Sequence, residues 1–315
     1  MNNQLLPIVK QLVAFSPRQL EGETKTVAYL RAELDKAQIP YKLQEFEIEL
    51  PKYTHELLAD GQLIGGMPCA LESGEIIDKQ AVHNTLLDPN YCDEANINFN
   101  PVCAGHSLAT FYHAPAIAVN HQELEKFLQA KDIKGSVSVE RVPHKTANIL
   151  VGNVTQPKRI IFAHIDSIQM GAVDNASGVA VSLNLIKEQP HLLNENLIIF
   201  SACEELSFAK PYYWGFGYRV FEQEYETVMA QAQEILVIDS VGQTEAQVYD
   251  NTKLELMRLA FPIEHMDEWQ ERIKVIAGDL DTLMTVYHSD LDDLTQVDEP
   301  HLRQAQELVV KRLQG

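Results

Sequence analysis

The chain of 315 residues has no apolar run long enough to span a bilayer. Its first residues, MNNQLLPIVKQLVAF, show no basic start, no long apolar core and no small-residue cleavage site, so neither a membrane span nor a secretion signal is expected. Cysteine is scarce. The four present, Cys69, Cys92, Cys103 and Cys203, are too few to staple a chain of this size and read as thiols of a cytoplasmic protein. Cationic residues are outnumbered as well: 25 Lys and Arg face 45 Asp and Glu, a net charge of −20. That charge repels phosphate backbones and anionic lipid, so nucleic acid and membrane are not expected partners. No internal repeat and no low-complexity segment is found, which removes repeat arrays. What remains is a chain with 45% hydrophobic residues, enough for a sizeable core in one large domain or in a main domain carrying a smaller one.

The periodicity changes along the chain. LLPIVKQLVAF and TKTVAYLRAELDKA carry apolar residues at helical spacing, and YKLQEFEIEL alternates as a strand does. Residues 51–143 are different: GQLIGGMPCALESGEI and DPNYCDEANINFNPVCAGH cluster turn residues, and HAPAIAVNHQELEKFLQ reads as a short strand leading into a helix. We expect an inserted, smaller β-rich subdomain there, with residues 1–50 and 144–315 forming the main domain. In the latter, NILVGNV, RIIFAHI, NLIIFSA and EILVIDS are continuously apolar strands. Helices are expected at SGVAVSLNLIKEQ, around PYYWGFGYRVFEQEYETV and at PHLRQAQELVVKRLQ. Such a pattern predicts an α/β fold, a mixed, mostly parallel sheet covered by helices on both faces.

Polar residues gather where these strands stop. His164 and Asp166 follow RIIFA, Asp174 opens the next helix, Glu204 and Glu205 follow NLIIFSAC, and Asp239 follows EILVI; His288 lies in TVYHSDLDD, again past an apolar run. Ligands of open α/β sheets collect at the carboxyl ends of strands. Singly, each residue has a structural reading, as a hydrogen-bonded histidine, a helix cap or a solvated pair. Together, neighbouring buried carboxylates repel one another unless a cation lies between them. His164, Asp174, Glu205, Asp239 and His288 offer the mixed nitrogen and oxygen donors that zinc accepts. If Asp174 bridges, two metals receive three ligands each and act together on a shared water and a carbonyl. Glu204 is then spare to serve as a base, and Asp166 stands close enough to orient the site near His164.

AHIDS, GAVDNASG, CEEL, IDSVG and YHSDLDD, in this order, resemble the M28 family of metallo-aminopeptidases, within the co-catalytic zinc exopeptidases. The resemblance covers residues 147–315 and, more loosely, the first two helices. It implies that His164, Asp174 and Asp239 hold one zinc and Asp174, Glu205 and His288 the other. It also implies Glu204 as general base, Asp166 as its supporting acid, Asp292 as a carboxylate behind His288, and a peptide or aminoacyl substrate cut at its N-terminal bond.

The chain departs from the family pattern after the glutamate pair, where LSFAKPYYWGFGYR replaces a Gly-rich turn; its aromatics either line a substrate pocket or pack. The interval from Asp239 to His288 is short for the family. The insert weakly resembles the protease-associated domain. Within it Cys92, Cys103 and His106, with His83 and Cys69, are a weaker candidate for a structural zinc, because their spacing lacks the short paired intervals of zinc modules. Cys203 reads as an inert thiol whose carboxylate neighbours raise its pKa. Two other readings stay open: a glutaminyl-cyclase-like acyl transfer using one zinc, and a non-catalytic binding or scaffold relative.

Overall fold

Alternate side chains of the β-branched runs fall into two separate cores, and this sets the architecture. In the computed structural model, which describes residues 5–77, 82–86 and 94–314, strand Arg159–His164 lies between Asn196–Ser201 and Glu234–Ile238. Both pairings are parallel, with Ser201 opposite His164 and Val237 opposite Phe162. Ile273–Ala277 extends the parallel set beyond Glu234–Ile238. Antiparallel strands flank it: Gln247–Tyr249 on one side, and the long strand Ile133–Gly152 on the other. Tyr41–Ala59 comes next in the sheet order. The sheet is thus mixed, with parallel pairing at its centre.

Ile161, Ala163, Ile198, Phe200, Leu236 and Ile238 pack on one face against helices Leu5–Val13, Glu21–Lys36, Gly178–Glu188 and Glu299–Gln314. Ile160, Phe162, Leu197, Ile199, Ile235 and Val237 pack on the other against Phe216–Gln231, Leu254–Ala260 and Met266–Trp269. Successive strand residues point to opposite faces, so a sheet covered on both sides needs apolar residues at every position. Phe162 centres the second core, its ring 5.4 Å from Tyr218 and Phe221 and 4.9 Å from Phe261. Deleting a buried ring of this kind costs about 3–5 kcal/mol.

Apart from residues 49–59 and 133–143 of the two long strands, these elements belong to a first compact unit, Met1–Ile48, His144–Leu283 and Asp292–Gly315. The second unit, Glu49–Pro143 and Met284–Leu291, is β-rich. It contains a four-stranded sheet in the order Met67–Pro68, Ala116–Ala118, Asn96–Phe99, Val82–Asn84. Its helix His121–Gln129 is capped by the Asn120 side chain, which accepts from Glu123 N at 2.8 Å. Met284–Leu291, placed with the main domain on the sequence, clusters with this unit. Among the described residues no helix is long and apolar enough to cross a membrane.

Candidate metal centre

Three adjacent parallel strands end side by side, and their carboxyl ends carry the polar residues picked out on the sequence. His164 closes the central strand, Glu204 and Glu205 follow Asn196–Ser201, and Asp239 follows Glu234–Ile238. His164 Nε2 lies 3.1 Å from Asp174 Oδ1 and 3.6 Å from Asp239 Oδ1, while its Nδ1 lies 3.5 Å from Asp166 Oδ1. His164, Asp174 and Asp239 each bring a ligand atom within 4.8 Å of the others, and so do His164, Glu204 and Glu205. Every one of these side chains is buried except that of Asp239, which keeps 19% of its surface exposed.

Backbone hydrogen bonds hold the loops in place. Ala172–Ser177 makes a wide helical turn in which Asp174 and Asn175 leave helical dihedrals, with φ of −110° and −132°. The Asp174–Asn175 peptide is cis. Asp292 Oδ1 accepts from Val173 N at 2.7 Å and its Oδ2 from Asp174 N at 3.0 Å. Asn175 Nδ2 donates to Ile238 O at 2.7 Å, and its Oδ1 accepts from Gly178 N at 3.1 Å, tying the turn to the neighbouring strand. Asp292 therefore grips the backbone of Asp174, a part the family resemblance had not given it. Asp166 Oδ1 accepts from Glu204 N at 3.0 Å and its Oδ2 from Glu205 N at 2.9 Å. One carboxylate thus faces His164 and fixes the glutamate pair.

His288 belongs to the second unit. There its Nδ1 is 3.2 Å from Leu108 O, its ring stacks at 3.8 Å on Tyr287, and its backbone is left-handed with φ 48°. Cys92 lies outside the described residues. Of the remaining insert residues, Cys69, Cys103, His83 and His106 form no group at metal-ligand spacing among the described residues. The aromatics after the glutamates pack on one another, with Trp214 centred 4.9 Å from Tyr212 and 4.8 Å from Tyr213 and its Nε1 donating to Leu259 O at 3.0 Å.

The electrostatics are those of crowded, desolvated acids. Burial pushes the Glu204 carboxyl well above the usual range; His164 opposes this, and Glu205, Asp166 and Asp239 add to it. Burial alone would lower His164, but its bonds to Asp166, Asp174 and Asp239 outweigh burial and leave it well above the ordinary imidazole value. Asp292 is pushed up to about 7, by burial first. Cys203 is also driven well above the ordinary thiol value by burial and then by Glu23 and Asp166, the direction expected of an inert thiol. Several acids sharing one imidazole is an arrangement that a divalent cation stabilises. The donor set, imidazole nitrogen with carboxylate oxygens, fits zinc.

Arg18 and Glu23 are among the residues of this unit that were not singled out on the sequence. Arg18 is fully buried and donates to the carbonyls of Ile165 at 2.8 Å, Asp166 at 3.3 Å, Met170 at 3.3 Å and Gly171 at 3.0 Å. Glu23 is buried on helix Glu21–Lys36 together with Thr26, Leu30 and Leu34. That stripe at helical spacing was the available signal, a charged residue on an apolar face; Arg18 sits in a loop and shows no such pattern.

Fold and site together define a mixed α/β protein with a carboxylate and imidazole cluster at the carboxyl ends of its central parallel strands. Residues 148–214 match the model of Peptidase family M28, which shows the family resemblance on the segment carrying His164, Asp166, Asp174, Glu204 and Glu205. Among solved structures, BSAP, a zinc aminopeptidase from Bacillus subtilis, is similar with a TM-score of 0.69 and 15% identity, covering 97% of this chain and 92% of that one. An aminopeptidase from Aneurinibacillus sp. strain AM-1 is similar with a TM-score of 0.59 and 16% identity, covering 97% and 91%. Glutaminyl cyclase from Porphyromonas gingivalis is similar with a TM-score of 0.54 and 14% identity, covering 99% and 96%. No curated protein sequence matches the chain. At 16% identity or less, the likeness to these solved structures is one of fold.

Proposed function

We propose that the chain is a di-zinc aminopeptidase that hydrolyses the N-terminal bond of a peptide or aminoacyl substrate in the cytoplasm. The observation that carries this reading is the convergence of His164, Asp174, Asp239, Glu204 and Glu205 at three neighbouring strand ends. His164, Asp174 and Asp239 would hold one ion, and Asp174 and Glu205 the second, to which the family resemblance adds His288. When bound, zinc supplies the positive charge that acidifies water and polarises a carbonyl. The chain's own residues do the rest. Glu204, which is not among the proposed ligands, takes a proton from the attacking water and returns it to the leaving amine. Asp166 fixes the backbone of Glu204 and Glu205 and faces Nδ1 of His164, so base and ligands are aligned by one group. Buried thiols at Cys69, Cys103 and Cys203 favour the cytoplasmic placement.

Glu204→Gln is expected to lower kcat on aminoacyl amides about 10²–10⁴-fold while leaving bound zinc near two per chain, the rate by steady-state kinetics and the metal by mass spectrometry. Normal hydrolysis by this variant would remove Glu204 from its role. Structural likeness to glutaminyl cyclases favours a second reading, cyclisation of N-terminal glutamine with one zinc. One metal per chain, with ammonia released from glutaminyl peptides and no cleavage of the aminoacyl panel, would favour that reading over ours.

A further inference from the structure

Glu23, His144 and Cys203 form a second buried polar group in the first unit, with ligand-type atoms within 4.8 Å of one another. Their hydrogen bonds say what the group does. Glu23 Oε2 accepts from the Cys203 backbone N–H at 2.8 Å. Its Oε1 accepts from His144 Nε2 at 2.8 Å and from the Cys203 thiol at 3.5 Å. The next two amides, Glu204 N and Glu205 N, are held by Asp166. Three consecutive N–H groups at the end of a strand are therefore gripped by two buried carboxylates, reaching in from different parts of the chain.

The backbone here needs such a grip. Cys203 has φ 51°, a left-handed conformation that costs a non-glycine residue about 1–2 kcal/mol. A charge-assisted bond to its N–H is roughly twice as strong as a neutral one, which suits it to hold that turn. Fold stability alone explains little, because a buried ionisable pair is commonly no more stabilising than apolar residues of the same volume. The pair is better explained by what lies next along the chain, namely Glu204.

We infer that Glu23, braced by His144, is a positioning residue that locks the left-handed turn at Cys203 and so aims Glu204 into the site. This inference rests on the proposed role of Glu204. Its backbone part does not, and the test separates the two. Glu23→Ala should speed hydrogen exchange of the amides of residues 203–205 at least about 10-fold, with exchange elsewhere unchanged. It should also lower kcat about 10- to 100-fold with KM and bound zinc unchanged, the pattern of a misplaced group that acts only on the chemical step. Glu23→Gln should restore most of both, since its carbonyl can accept from Cys203 N, without the charge, and its amide can donate to His144 in the other tautomer. Glu23→Asp, one methylene short, serves if the alanine variant does not fold, and should show the same losses in smaller degree. Wild-type exchange at 203–205 in the alanine or aspartate variant overturns the clamp. Altered exchange with unchanged kcat in an active enzyme overturns the link to Glu204. A wild-type chain that hydrolyses no peptide bond overturns the functional reading instead, and exchange alone then decides the clamp.

Discussion

Arg18 shows what a single residue contributes beneath a cluster of acids. Its guanidinium has no exposed surface, and burial pushes its pKa down to about 10, while Asp166, Asp292, Asp174 and Glu205 pull in the opposite direction. It stays charged at neutral pH and is a fixed cation below groups that otherwise repel one another. Its donors all go to neutral oxygens: four carbonyls between Ile165 and Gly171 and the Ser16 hydroxyl. The segment so held is the one that carries Asp166 and leads to Asp174. Replacing it with Arg18→Met keeps much of the volume but leaves buried carbonyls without donors and the acids without their cation. A loss of about 3–5 kcal/mol is expected in urea unfolding of metal-free protein. Arg18→Lys should recover part of this, since a point charge cannot span four acceptors. A change below about 1 kcal/mol for the methionine variant would mean that the loop is held by other contacts.

Among the elements, helix Phe216–Gln231 is the one whose start is set by the site. Its first turn comes so close to the end of strand Asn196–Ser201 that a Cβ on Gly217 would collide with Ala202 O, with Ser201 Oγ at 2.6 Å and with Asn148 Oδ1 at 3.0 Å. Asn148 joins all three pieces: its Nδ2 donates to Gly217 O at 2.9 Å, and its Oδ1 accepts from Ala202 N at 3.0 Å. Gly217→Ala must push the helix off the strand end that carries Glu204. We expect a stability loss of about 1–3 kcal/mol from overpacking, by thermal unfolding, and a fall in kcat larger than that stability loss would give through unfolded protein. The same element shows where the sequence stopped being legible. A helix was expected to start near Pro211, but Gly215 takes a left-handed conformation with φ 70° and its N–H bonds to Glu204 O, so the helix begins at Phe216. That bond joins positions whose proximity depends on tertiary packing. Strands RIIFAH, NLIIFS and EILVI were readable because burial on both faces leaves them continuously apolar. Ile273–Ala277 was missed, its IKVIA run short and broken by a lysine. At the site, strand-end acids could be read in order along the chain, whereas the residues that hold them, Arg18, Glu23 and Asn148, act across 50 or more positions and left at most one misplaced charge as a signal.

For the molecule as a whole, two kinds of negative charge must be kept apart. The net −20 is spread over the chain, and its solvent-exposed part is screened over about 8 Å at physiological ionic strength. The acids around His164 are buried apart from the partly exposed Asp239, so monovalent salt screens them much less. Monovalent salt should therefore relieve the surface repulsion and raise the melting temperature of metal-free and metal-loaded protein alike. Zinc should act only through the buried set, adding about 2.7 kcal/mol when free metal is a hundredfold above its dissociation constant. Asp174→Asn separates the two, since it removes the carboxylate proposed to be shared by both ions yet scarcely alters the surface. Calorimetry of this variant after chelation should show the full increment from potassium chloride and little from zinc. A zinc increment equal to that of the wild type would place the metal elsewhere on the chain, and the acids at the strand ends would then be a structural network held by Arg18 and backbone amides.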